Sequence, residues 1–156
     1  MFVEISKKAE LFLKALEDVW VAEQIQFGSP NNAVWHCTQA VEKIMKGFLR
    51  CHKMDYDYGH QLRLLLESVE TVFELPAEAR KNVVFLDDFG IGLRYKNMSD
   101  DPSPEEAKVA IMRTKQIMQE FRNHPTILNF IKEAEGVHLK ILKASDTQEP
   151  SGNKGE

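Results

Sequence analysis

Apolar side chains return every three to four positions along most of this chain. That period places them on one face of a helix. In residues 5–26 the stripe is Ile5, Ala9, Phe12, Leu16 and Val19. The turn-forming run FGSPNN, residues 27–32, breaks it. A second helix is predicted over residues 32–53, with core positions Val34, Cys37, Val41, Ile44 and Phe48. MDYDYGH, residues 54–60, reads as a polar loop with aromatics. Leu62, Leu65, Leu66, Val69, Val72 and Phe73 make a third stripe, stopped by Leu75-Pro76. The fourth helix is predicted over residues 77–95, followed by the loop KNMSDDPS. Ser103, Pro104 and Glu106 are spaced as an N-cap, a first-turn proline and a capping-box acid. Ala107, Ile111, Thr114, Ile117 and Phe121 then form the fifth stripe. His124-Pro125 interrupts, and a weaker sixth helix is predicted over residues 126–142. No alternating strand pattern of useful length, internal repeat or second domain is visible.

Short connections between long helices favour antiparallel neighbours. The predicted fold is therefore all-α, an up-and-down antiparallel bundle of about five helices plus a C-terminal sixth helix. Residues 1–143 form its single domain. The sixth helix packs outside the core or reaches a partner. Residues 144–156, small and polar, are predicted to be a disordered tail.

Composition changes this picture little. The 156 residues are 43% hydrophobic and 28% charged, enough for one domain with a core. A formal net charge of −4 argues against a broadly basic surface for duplex DNA, though not against a local basic patch. No stretch approaches the roughly 18 apolar residues of a membrane span, and the first residues lack a signal pattern. A cytoplasmic protein is expected. Cys37 and Cys51 fall on one helix about 21 Å apart, whereas a disulfide needs Cα atoms within about 7 Å. They cannot pair with each other.

The second helix carries the candidate chemistry. His36, Gln39, Lys43, Lys46 and Arg50 lie opposite its apolar arc, with Trp35 and Glu42 at the border. Glu42 and Lys46 have the spacing of an ordinary helical ion pair. Trp35 is the exception, because a large aromatic is rarely left in water. A subunit interface or contact with the sixth helix accounts for it better than a ligand stacking on the indole. Gly90 and Gly92 weaken the end of the fourth helix, through close backbone approach or simple fraying. Asp87 and Arg94 share a face there. Asp100 and Asp101 match no metal-ligand spacing, and the dispersed His52, His60 and His138 read as packed or surface residues. No nucleophile elbow, phosphate loop or dinucleotide fingerprint occurs. No catalytic residue, metal or cofactor is expected.

Three stretches, taken together, resemble the HEPN domain, a helical family whose name stands for higher eukaryote and prokaryote nucleotide-binding. The first is Trp35-His36-Cys37-Thr38-Gln39-Ala40-Val41-Glu42-Lys43-Ile44-Met45-Lys46. The second is His60-Gln61-Leu62 at the opening of the third helix. The third is Leu86-Asp87 with Arg94-Tyr95 at the close of the fourth. The resemblance covers about residues 5–124. It implies an antiparallel bundle of about five helices, a homodimer, and a nucleotide ligand bound by His36, Gln39, Lys43, Arg94 and Tyr95. Lys46 adds a further cation to that set. It also implies that a nucleotidyltransferase is a possible partner protein, as in two-component toxin systems, some of which cut RNA. The RNA-cutting branch carries an Arg followed four to six residues later by a His. None of Arg50, Arg63, Arg80, Arg94, Arg113 or Arg122 has one at that spacing. Lys96 follows Tyr95 where the family often has proline. The expectation is a non-catalytic nucleotide- or phosphate-binding or interaction module, working as a homodimer, with Trp35 as its interface candidate. The alternative is the partner subunit of a nucleotidyltransferase.

Overall fold

The computed structural model of the chain describes residues 3–56, 59–90 and 101–147. These contain α1 (Lys7–Ile25), α2 (Pro30–Cys51), α3 (Leu62–Glu70), α4 (Ala77–Gly90), α5 (Pro104–Arg122) and α6 (Leu128–Asp146). The fold is all-α, as the periodicity predicts, and no strand occurs among the described residues. None of the described helices is long and apolar enough to cross a membrane. Arg94, Tyr95 and Gly92 lie outside the described residues, as do residues 96–100 of the expected loop.

Local chemistry fixes the helix ends. Ser103 and Glu106 form the expected capping box: the Glu106 N–H donates to Ser103 Oγ at 3.2 Å, and the Ser103 N–H to Glu106 Oε1 at 3.4 Å. Pro30 opens α2, where its missing N–H costs nothing. At the other end the His52 N–H reaches Phe48 O and Leu49 O, and Lys53 turns the chain away with a left-handed φ of 54°. Two expectations need correction. The predicted tail begins at Ala144, yet α6 continues to Asp146. The third apolar stripe includes Val72, yet that side chain is exposed. That helix stops at Glu70, and the turn after it swings Val72 outward while Phe73 packs inward.

Helix α2 is the axis of the bundle and packs against α1, α3, α4 and α5. All five of its predicted core positions are buried. Phe12, Phe48 and Phe121 are wholly buried in the same core, each worth roughly 1.5–3 kcal/mol in transfer from water. The α1–α2 hairpin is tight: the Ser29 N–H meets Ile25 O at 2.7 Å. Gly47 of α2 leaves room for α1: an added Cβ would stand 2.7 Å from the Phe12 ring. Burial pushes the Cys37 thiol up to about 11, and both cysteines are free.

Helix α6 lies along α1 and touches α5 over a short stretch, without packing on α2. It is tied to the start of α1 by Ser6, whose N–H and hydroxyl both donate to the Glu133 carboxylate, at 3.0 and 2.7 Å. Those bonds hold Glu133 below the usual carboxylate range. Contact with α6 is therefore not what covers Trp35; the expectation that it might be is set aside by where α6 packs.

Phe48, Phe73 and Phe121 meet His52 and His124 at one end of the core. The His124 ring lies 4.7 Å from Phe73, 5.1 Å from Phe48 and 5.5 Å from His52, centroid to centroid. Burial, and next the nearby His52, lower the His124 pKa from 6.5. A lowered imidazole pKa means that the fold prefers the neutral ring. Its contribution is present above pH 6.5 and lost as pH falls through the lower folded value. We expect urea midpoints to drop on acidification from pH 7 to 5, and His124→Gln to flatten part of that slope. Gly47→Ala should destabilise by about 1–3 kcal/mol, because overpacking Phe12 outweighs the gain in helix propensity. Chemical denaturation measures both.

Candidate functional site

Three carboxylates are buried among the helices, and each gathers cations or donors from elsewhere in the chain. Asp18 of α1 is 7% exposed. His36 Nδ1–H donates to its Oδ1 at 2.8 Å, and Lys43 Nζ donates to its Oδ2. His36 and Lys43 are seven residues apart, two turns of α2, so one carboxylate between them reaches both. The imidazole is thereby oriented, leaving Nε2 for any group that approaches from outside.

Glu42 forms the second node. His60 Nδ1–H donates to its Oε1 at 2.8 Å, and Lys46 Nζ stands 3.8 Å away as the expected i,i+4 pair. Lys46 also lies over the Tyr56 ring, 5.7 Å from its centroid. Asp87 is the third node and is 1% exposed. Its Oδ1 accepts the Leu62 N–H at 2.8 Å, and its Oδ2 accepts from Arg63 Nη1 at 3.1 Å. Arg63 continues to Asp88 at 2.9 Å. Gln61 offers α3 no capping side chain. A carboxylate from α4 does that work, satisfying an N–H that a helix start otherwise leaves bare.

Trp35 stands beside these groups and is half exposed, at 50%. Its ring meets the His36 ring edge-on, with centroids 4.9 Å apart. Thr38, one turn further along α2, donates its hydroxyl to Trp35 O at 2.7 Å. Charge is thus largely matched at this surface, while a large apolar ring is left in water.

The structure draws His36 and Lys43 together on Asp18 and puts Lys46 on the neighbouring Glu42. Gln39 lies between them on α2 and is half-buried. Arg94 and Tyr95 fall outside the described residues. Sequence reasoning missed Asp18 altogether. A signal was present: Asp18 follows Ala15 by three and precedes Ala22 by four, so an acid occupies the buried arc of α1. His60, read as a packed or surface histidine, has an exposed ring that reaches back to a buried acid. Among the described residues no group of three or more His, Cys, Asp or Glu is arranged to hold a metal ion.

A family model described as HEPN domain matches residues 4–124. Among solved structures, an archaeal HEPN homologue superposes with a TM-score of 0.61 at 19% identity, covering 76% of this chain and 97% of that one. At that identity the likeness is one of fold. No curated protein matches the chain.

Asp87→Ala strands the Leu62 N–H and removes one of the two carboxylates on Arg63, and we expect a loss of about 2–4 kcal/mol. Asp87→Asn keeps one acceptor and should lose roughly half as much. Urea denaturation monitored by circular dichroism distinguishes the two.

Proposed function

The chain belongs to the HEPN domain family, and on that premise we propose that it is a non-catalytic contact module that works as a homodimer through the Trp35 face of α2. The observation that carries this reading is the half-exposed Trp35 beside side chains whose charges are already answered within the chain. Interfaces favour that combination: a large aromatic anchor supplies apolar area, and neighbouring polar groups cost little to desolvate when already paired. His36 Nε2 would accept one hydrogen bond from the opposing surface.

The same pairings weigh against a phosphate site built from α2. His36 and Lys43 would have to leave Asp18, and Lys46 would have to leave Glu42, before meeting an anion. The missing Arg–His spacing supports the non-catalytic part of the proposal. A nucleotidyltransferase subunit is the alternative occupant of the same face, and it would use the same anchor.

Sedimentation velocity tests the proposal. The native chain should sediment as a dimer and Trp35→Glu as a folded monomer with an unchanged circular-dichroism spectrum. A native monomer, or a variant that stays dimeric, removes Trp35 from the subunit interface.

A further inference from the structure

A cleft of about 400 Å³ opens between α1, α5 and α6. It exists because α6 lies along α1 and meets α5 only briefly, so the two diverge and leave part of the core uncovered. α6 also lies beyond the residues that the HEPN model matches, so the wall it contributes is an addition to that unit. Phe12, Ile44 and Ile131 line the floor, and Leu16, Val19 and Met118 continue the apolar lining. Trp20 lines the cleft and is 43% exposed.

Six of the thirteen lining residues are polar, and the charges of four of them cancel. Lys115 Nζ sits 3.1 Å from Glu23 Oε1, and Arg122 Nε donates to Glu135 Oε1 at 2.9 Å. Those four lining residues carry two positive and two negative charges. His138 also lines the cleft, and its Nδ1 is buried with no hydrogen-bond partner.

We propose that this cleft binds a small, neutral, flat and largely apolar molecule. The volume is that of a small-molecule site, and the mixture of apolar lining with a few convergent polar groups is what such sites use. The balanced charges disfavour a phosphate or other strong anion, which would have to displace Glu23 or Glu135. Trp20 supplies an aromatic face for a flat body. An amphipathic helix of a partner protein is the competing occupant, because the adjoining face of α5 exposes Val109 and Met112. The shape favours the small molecule: three helices wall the cleft and Ile44 of α2 closes its base, a concave site rather than an open strip along α5. This proposal is independent of the Trp35 interface.

N-phenyl-1-naphthylamine, neutral and flat with a single N–H, is the probe, and anilinonaphthalene sulfonate is its anionic counterpart. In Trp35→Phe protein, Trp20 is the remaining tryptophan. The neutral probe should bind saturably at one site per chain and draw energy transfer from Trp20. Met118→Trp, which fills the cleft, should weaken binding roughly tenfold or more while keeping a cooperative melt. Ile131→Phe, from α6, should do the same, so the test survives if one variant fails to fold. Absence of saturable binding overturns the proposal, as does binding without transfer from Trp20. Tighter binding of the sulfonate overturns the neutral class, and undiminished binding in folded cleft-filling variants overturns the location.

Discussion

A carboxylate taken out of water must find cations or N–H donors, and this bundle buries three. Asp18, Glu42 and Asp87 are each at most 7% exposed. The cost of an unpaired buried charge is several kcal/mol, comparable to the whole margin of stability of a domain this size. Their partners are therefore not free to choose other positions. Asp18 binds α1 to α2 through His36 and Lys43. Glu42 holds His60, at the end of the loop that follows α2. Asp87 captures the first N–H of α3 and the arginine after it. Much of the lateral order of the helices follows from satisfying these three groups.

The residues that give the HEPN motif its recognisable shape are thus read, in this chain, as parts of its internal scaffolding. The stretch from Trp35 to Lys46 meets the His60-Gln61-Leu62 step through Glu42, and that step meets Leu86-Asp87 through Asp87. Side chains already committed in this way are poor phosphate donors, because a ligand must first break what holds the helices. Trp35, which none of these contacts covers, stays exposed beside them on α2.

The helices were legible because their apolar stripes have a period of 3.6 residues, and the Ser103–Glu106 box was legible because capping is local. The family was legible from motifs in order. What escaped was long-range. Asp18 is 18 residues from His36 and 25 from Lys43, and nothing in a local window pairs them. The same holds for Asp87 and Leu62, whose bond spans 25 residues. Val72 was misplaced because a helical stripe and a turn of the same composition look alike until the helix end is known. The cleft beside His138 was invisible because it depends on how far α6 diverges from α5, which no periodicity encodes.

Asp18 of α1 ties down His36 and Lys43 on the polar face of α2. A double-mutant cycle on Asp18 and Lys43 measures it most directly, using Asp18→Asn, Lys43→Met and the pair together in urea denaturation. A coupling of about 1–2 kcal/mol between the two sites is expected, the scale of a charge-assisted bond with limited exposure. Additive effects, with no coupling, would mean that Lys43 is free of Asp18 in solution and would return the polar face of α2 to the search for a ligand.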